Sequence, residues 1–228
     1  MSRLFSLTAV LFTLAACATA APTGKFIYVD LSRYANQKRD SFGNNDANDL
    51  KALGKANQPR TLGGVNFKLL DSVVQLASPL VAQKRPAKIA GIKIGHACNK
   101  IHIIHATEFG NGSGGDPKDD DPRFIKDGTK IAEYKINYDD GKSAAIPVVY
   151  GQDVRDWWFA AGHKGVTRGK VAWQGDNEYA KSLEHRIRVY LTTWENPHPA
   201  KKISTIDYIK VGDGGAAPYC VAITLEAK

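Results

Sequence analysis

"KIAEYKINYDDGKSAAIPVVY" (130–150) is the stretch on which the fold class turns. Ala132, Tyr134, Ile136 and Tyr138 alternate with Ile131, Glu133, Lys135 and Asn137. A period of two is the signature of a strand, whose successive side chains point to opposite faces. Asp139-Asp140-Gly141 then interrupts the alternation with residues that tolerate the positive φ of a tight hairpin turn. The return arm ends in Ile146, Val148, Val149 and Tyr150. The whole segment therefore reads as an antiparallel hairpin.

The same pattern extends to both sides. "KFIYVDL" (25–31), "GVNFKLL" (64–70), "AKIAGIKI" (87–94) and "NKIHIIHAT" (99–107) precede the hairpin. "RGKVAW" (168–173), "HRIRVYLTTW" (185–194), "KISTIDYIKV" (202–211) and "YCVAITLE" (219–226) follow it. Two short helices fit between the strands. One is "NDANDLKALG" (45–54), with Asn or Asp as N-cap and Gly54 as a stop, and the other is "NEYAKSLEH" (177–185). Roughly ten strands separated by turn signals predict an all-β chain folded as a two-sheet antiparallel sandwich. "GNGSGGDPKDDDPR" (110–123) is rich in Gly, Asp and Pro and is expected to be an exposed loop.

The first residues have a different character. Arg3 is followed by an apolar run from Leu4 to Ala16 and then by small residues, the anatomy of a secretory signal peptide over 1–20. The run is short of the roughly 20 apolar residues a membrane span needs. Ala18-Thr19-Ala20 suits ordinary signal peptidase, while Leu14-Ala15-Ala16-Cys17 resembles a lipobox that would leave a lipid anchor on Cys17. The expectation is an exported chain, secreted or held in the periplasm or cell envelope, with residues 21–228 as a single domain. The full chain carries 31 Lys and Arg against 23 Asp and Glu, a net charge of +8, and the leader contains only Arg3 of these. In a cytosolic protein that balance would point to nucleic acid; in an exported one it suits acidic glycans or cell-surface polymers at least as well, and a soluble basic surface with no specific partner accounts for it most simply.

Cys98 and Cys220 could pair in an oxidising compartment, or each could be a free buried thiol in its strand. His102 and His105 lie three apart in a strand, so they face opposite ways and do not chelate one ion. Asp119, Asp120 and Asp121 match no calcium-loop pattern, although irregular loop oxygens can hold a structural Ca²⁺. No cofactor is expected otherwise. Motifs for a nucleophilic serine, a zincin or a reactive cysteine are missing. Glu108, Asp153, Asp156 and Glu195 supply carboxylates, but no spacing singles out an acid–base pair.

In "HRIRVYLTTW" the alternation places Arg186, Arg188, Tyr190, Thr192 and Trp194 on one face, opposite Ile187, Val189 and Leu191. Such a row of cation, phenol, hydroxyl and indole can line a glycan groove or lie under ordinary cross-strand packing. In "GQDVRDWW" (151–158), Trp157 and Trp158 face opposite ways if the segment is extended, one plugging the core and one reaching a ligand.

Several longer strings carry a resemblance: "NDLKALGKANQPRTLGGVNFKL", "KIAGIKIGHACNKIHIIHATEF", "IPVVYGQDVRDWW", "VAWQG", "VYLTTWENPHPAKKISTIDYI" and "APYCVAITLE". Together they resemble secreted bacterial jelly-roll modules related to the galactose-binding-like fold and to NPCBM-type carbohydrate-binding modules. The resemblance implies a non-catalytic jelly-roll sandwich that recognises a glycan or polysaccharide. The contact surface expected from the residues is Arg188, Tyr190, Trp194 and one of Trp157 and Trp158, with Asp156 and Glu108 accepting hydrogen bonds from sugar hydroxyls. Two other classes remain: a cell-surface structural or protein-interaction module, and a glycosidase or polysaccharide lyase with carboxylates or a His/Tyr/Arg set converging in a cleft.

Overall fold

The computed structural model describes residues 25–43, 45–111 and 121–227. The leader with Cys17, and Asp119 and Asp120, lie outside the described residues. Within them the chain forms strands β1 Phe26–Tyr28, β2 Gln37–Lys38, β3 Pro59–Leu62, β4 Val65–Lys68, β5 Ser72–Gln75, β6 Lys88–His96 and β7 Lys100–Glu108. They continue with β8 Lys130–Tyr138, β9 Ser143–Val149, β10 Trp158–Phe159, β11 Lys170–Gly175, β12 Arg186–Glu195, β13 Ile203–Lys210 and β14 Ala217–Glu226. An α-helix, α1, spans Glu178–Ser182, and Lys51–Leu53 forms a 3-10 turn.

The decisive hairpin is β8 and β9, with Tyr134 opposite Ile146. Its turn closes because Gly141 adopts φ 81 and donates its N–H to the Tyr138 carbonyl at 3.2 Å. β8 and β9 belong to a four-stranded antiparallel sheet in the order β6-β13-β8-β9. The larger sheet runs β10-β12-β7-β14-β5-β2, with β1 added along β14 and β11 along β12. β3 and β4 form a separate hairpin.

The two large sheets face each other across a common core, so the protein is all-β and sandwich-like. Tyr134 of β8 stacks on Tyr208 of β13 at 4.4 Å between ring centroids. Tyr134 also approaches His105 of β7 at 6.0 Å. Burial of these aromatic rings gives the sandwich much of its hydrophobic stabilisation. The other face of the large sheet is also covered, and there Phe42 packs on Trp157 and Tyr219.

That double cover changes the reading of β12. Tyr190 stands opposite His105 and Thr192 opposite Ile103, which puts Arg188, Tyr190, Thr192 and Trp194 on the face turned toward the second sheet. Thr192 shares a hydrogen bond with His105 Nε2 at 2.9 Å. Arg188 is 3% exposed and Tyr190 0%, while Ile187, Val189 and Leu191 are buried on the opposite side. Arg188, Tyr190 and Thr192 are therefore interior, not the surface of an open groove, while Arg186 is exposed and Trp194 half-buried at the two ends of the strand. A strand covered on both faces loses the link between polarity and exposure that a half-buried strand shows.

Cys98 and Cys220 are both free and buried. Cys98 precedes β7, whereas Cys220 stands opposite His105. At ~3.3 Å per residue the two positions are roughly 20 Å apart along the sheet, beyond the ~7 Å a disulfide bridges. Burial pushes the Cys98 thiol up to about 11 and the Cys220 thiol up to about 12, so both stay protonated. His102 and His105 face opposite sides as expected, and both are buried. His102 bonds Thr193 Oγ1 at 2.9 Å and Glu226 at 3.2 Å. No described helix is long and apolar enough to cross a membrane.

Candidate functional site

β7 and β12 pair only from Tyr190 to Glu195. Toward the N-terminal end of β12 they part, and the segment 156–159 enters between them. Trp157 N donates to the Thr107 carbonyl at 2.9 Å, and Arg188 N donates to the Trp157 carbonyl at 2.8 Å. Trp158 and Phe159 then pair with Ile187 and Arg186. This wedge satisfies the backbone groups that the parted strands would otherwise leave bare.

The wedge bends at Trp157, so the extended geometry under which the two tryptophans would face opposite ways does not hold. Their ring centroids are 6.3 Å apart, closer than successive residues of a flat strand allow. Trp157, 2% exposed, fills the outer aromatic layer, 4.8 Å from Phe42. Trp158 is half-buried, and its indole Nε1 donates to Asn48 Oδ1 at 3.2 Å. Tyr179 of α1 meets the Trp158 ring edge-on at 5.4 Å, and His185 lies 5.7 Å away. His185 in turn stands 6.0 Å from His163. Tyr179, Trp158, His185 and His163 thus form a continuous row of rings, with Tyr179 39% exposed at its outer end.

The row leads into a cleft of about 610 Å³ lined by Asn111, Phe124, Lys126, Asp127, Tyr150, Arg155, His163 and Lys164. Its position follows from the register: β8 starts and β9 ends here, at Lys130 and Val149, as does β7 beside the start of β14. Tyr150 OH donates to Asn111 Oδ1 at 3.0 Å, and burial raises this phenol to about 12. Arg155 forks onto both oxygens of Asp127, at 2.8 and 2.7 Å, and its Nε donates to the Gly165 carbonyl. Its guanidinium lies 5.3 Å from the Tyr150 ring. Burial, together with the charges of Arg188, His185 and Arg155, lowers the pKa of His163.

Behind this rim lie Asp156, Arg188 and Tyr190. Asp156 Oδ1 accepts the Trp158 N–H at 3.0 Å, which fixes the wedge, and burial lifts its carboxyl to about 6. Arg188 packs against the rings of Phe159 at 4.7 Å and Tyr190 at 5.4 Å. Its Nε reaches the Asp156 carbonyl at 3.4 Å. Among the described residues neither Arg188 Nη2 nor Tyr190 OH has a hydrogen-bond partner.

The residues expected from sequence do not form one surface. Trp158 lies on the ring row; Asp156, Arg188 and Tyr190 are grouped beneath the cleft, and Trp157 is a core plug. Glu108 projects on the opposite face of β7 from His105 and accepts Gln75 Nε2 at 2.6 Å. Trp194 is six residues from Arg188 along β12, roughly 20 Å, at the other end of the strand. Nothing in the sequence singles out Tyr150, Arg155, His163, Tyr179 and His185. Only tertiary contacts bring them together, and no periodicity in 150–185 signals it. Among the described residues no three His, Cys, Asp or Glu side chains gather as a metal site would require. No family model matches the chain, and neither a curated protein nor a solved structure matches it.

Proposed function

We propose that this protein is a non-catalytic glycan-binding module and that the ring row from Tyr179 through Trp158 to His163, with the cleft at Tyr150 and Arg155, is its recognition surface. The row of half-exposed rings running into a polar cleft carries the reading. Aromatic faces cover the C–H surfaces of sugar rings, and the cleft supplies amide, guanidinium and phenol groups for hydroxyls. Tyr150, Asn111, Arg155 and Asp127 are held by one another, so little ordering is required on binding. The net charge of +8 and the signal-peptide pattern of 1–20 suit an exported protein that meets polysaccharide. In the same reading the sandwich is a jelly roll of the galactose-binding-like kind, on the strength of the strings quoted above.

Titration calorimetry against a panel of cell-wall and algal oligosaccharides tests this. Binding of at least one member is expected, weakened roughly tenfold or more by Trp158→Ala or Tyr179→Ala, each of which removes a stacking ring. If no glycan binds, the protein-interaction alternative takes its place.

A further inference from the structure

The open cleft at Tyr150 and Arg155 has donors to spare, while its acceptors are engaged. Lys126 and Lys164 stand exposed on its wall, and neither forms an ion pair among the described residues. His163 is a third donor there: its Nδ1 accepts the Ala160 N–H at 3.3 Å, which leaves the ring proton on Nε2. Asp127 gives one oxygen to each end of the Arg155 fork. The carbonyl of Gly110 accepts from Ile125, that of Lys126 from Thr129 and that of Tyr150 from Gly128. Asn111 Oδ1 accepts from Tyr150 OH. A sugar hydroxyl must donate as well as accept, whereas an anion only accepts, so this lining suits an anion better. The charges agree. Lys126, Lys164 and Arg155 line the cleft against one carboxylate, Asp127, which leaves a positive surplus. The next carboxylate before it in the chain, Asp121, is paired with Arg123 at 3.0 Å. His163 stays neutral, because burial and the charges of Arg188, His185 and Arg155 hold its pKa below 6.5. A concave wall focuses such a field on whatever enters it.

From this geometry we infer that the cleft takes an anionic group, countered by Lys126 and Lys164, and that the glycan recognised here is an acidic one whose neighbouring sugars lie along the ring row. The inference rests on the glycan-binding reading for the nature of the polymer, although the anion site itself requires only the cleft. A uronate carboxylate and a sulfate ester share the chemistry: a full negative charge and oxygens that only accept. Neither lysine has to leave an internal partner to meet the ligand. Each loses side-chain freedom when it does, so the two charges confer selectivity more than tight binding.

The test uses three oligosaccharides of matched length at low ionic strength: a galacturonate, its neutral galactose counterpart and a sulfated galactose. Wild-type protein is expected to bind an acidic member roughly tenfold more tightly than the neutral one. A preference for either acidic member supports the inference, and the one preferred identifies the anion. The double variant Lys126→Gln/Lys164→Gln is expected to lose the preference, with the melting temperature and the affinity for the neutral sugar unchanged, because both side chains are exposed and unpaired. Lys93→Gln/Lys135→Gln removes the same charge from two exposed lysines on β6 and β8 and is expected to keep the preference. Equal affinity for acidic and neutral sugars, a Lys126→Gln/Lys164→Gln variant that keeps the full preference, or a control variant that loses as much, overturns the inference while leaving the glycan reading intact. If no oligosaccharide binds, glycan recognition fails, and monomeric galacturonate and inorganic sulfate then probe the anion site alone by chemical-shift titration. Saturable shifts of the 162–164 backbone amides that vanish in Lys126→Gln/Lys164→Gln support the site, and their absence overturns it.

Discussion

Single side chains in this protein are decided by what surrounds them in the interior. Burial raises the Glu108 carboxyl to about 7 and the Asp156 carboxyl to about 6, and it lowers the His105 imidazole to about 4. In an unfolded chain the two acids titrate near 4 and the histidine near 6.5. The folded acids therefore hold protons that the unfolded chain has released, and their contribution to stability falls as pH rises from about 4 to about 7. His105 acts in the opposite sense: the unfolded chain takes up a proton below about 6.5, so stability falls as pH drops toward 4. Glu108→Gln isolates the first effect, because the amide oxygen still accepts from Gln75. We expect the variant to gain up to about 3 kcal/mol over wild type at pH 8 and nothing at pH 4, as read by urea unfolding. An equal difference at both pH values would contradict this. Arg168 gives a second residue-scale prediction. It forks onto both oxygens of the fully buried Asp153, at 2.7 and 2.6 Å, and Asp153 Oδ2 also accepts the Val149 N–H. Half of the Arg168 side chain meets solvent, which moderates the cost. Arg168→Ala should lose roughly 1–3 kcal/mol in urea unfolding. No measurable loss would show that water replaces the guanidinium.

Elements carry their information unevenly. The long strands were legible because alternation and turn residues agree: β8 and β9 fall where 130–150 places them, and β12, β13 and β14 within two residues of their expected starts. β2, β3, β5 and β10 leave no mark in the sequence; each has at most four residues, too few for a period to show. The same holds for the site. The wedge at 156–159 exists because β7 and β12 part, and the five-residue α1 sits where it does because Asn177 caps it and reaches Asn48 and Asp49. None of those causes is local to the strings concerned. Two glycines test the elements. Gly141, at φ 81 with open space where a Cβ would stand, makes the β8–β9 turn, and Gly141→Ala should cost about 1 kcal/mol from backbone strain alone. At Gly110, a Cβ would fall 2.4 Å from the Tyr150 ring. Gly110→Ala should therefore displace Tyr150 and weaken ligand binding at the cleft more than it lowers the melting temperature. Unchanged affinity would remove Tyr150 from the recognition surface.

At the scale of the whole molecule, the sandwich has two ends with different chemistry. One gathers Tyr179, Trp158, His185, His163, Tyr150, Arg155 and, beneath them, Arg188 and Tyr190. Trp194 belongs to the other. The central claim is that ligand recognition occurs at the first end only, and amide and indole chemical-shift mapping during titration with an acidic oligosaccharide tests it most directly. The account predicts shifts of the Trp158 indole N–H, the Asn111 side-chain amide and the backbone of 162–164, with the Trp194 indole unmoved. Shifts clustered around Trp194, or none at saturating ligand, would contradict it.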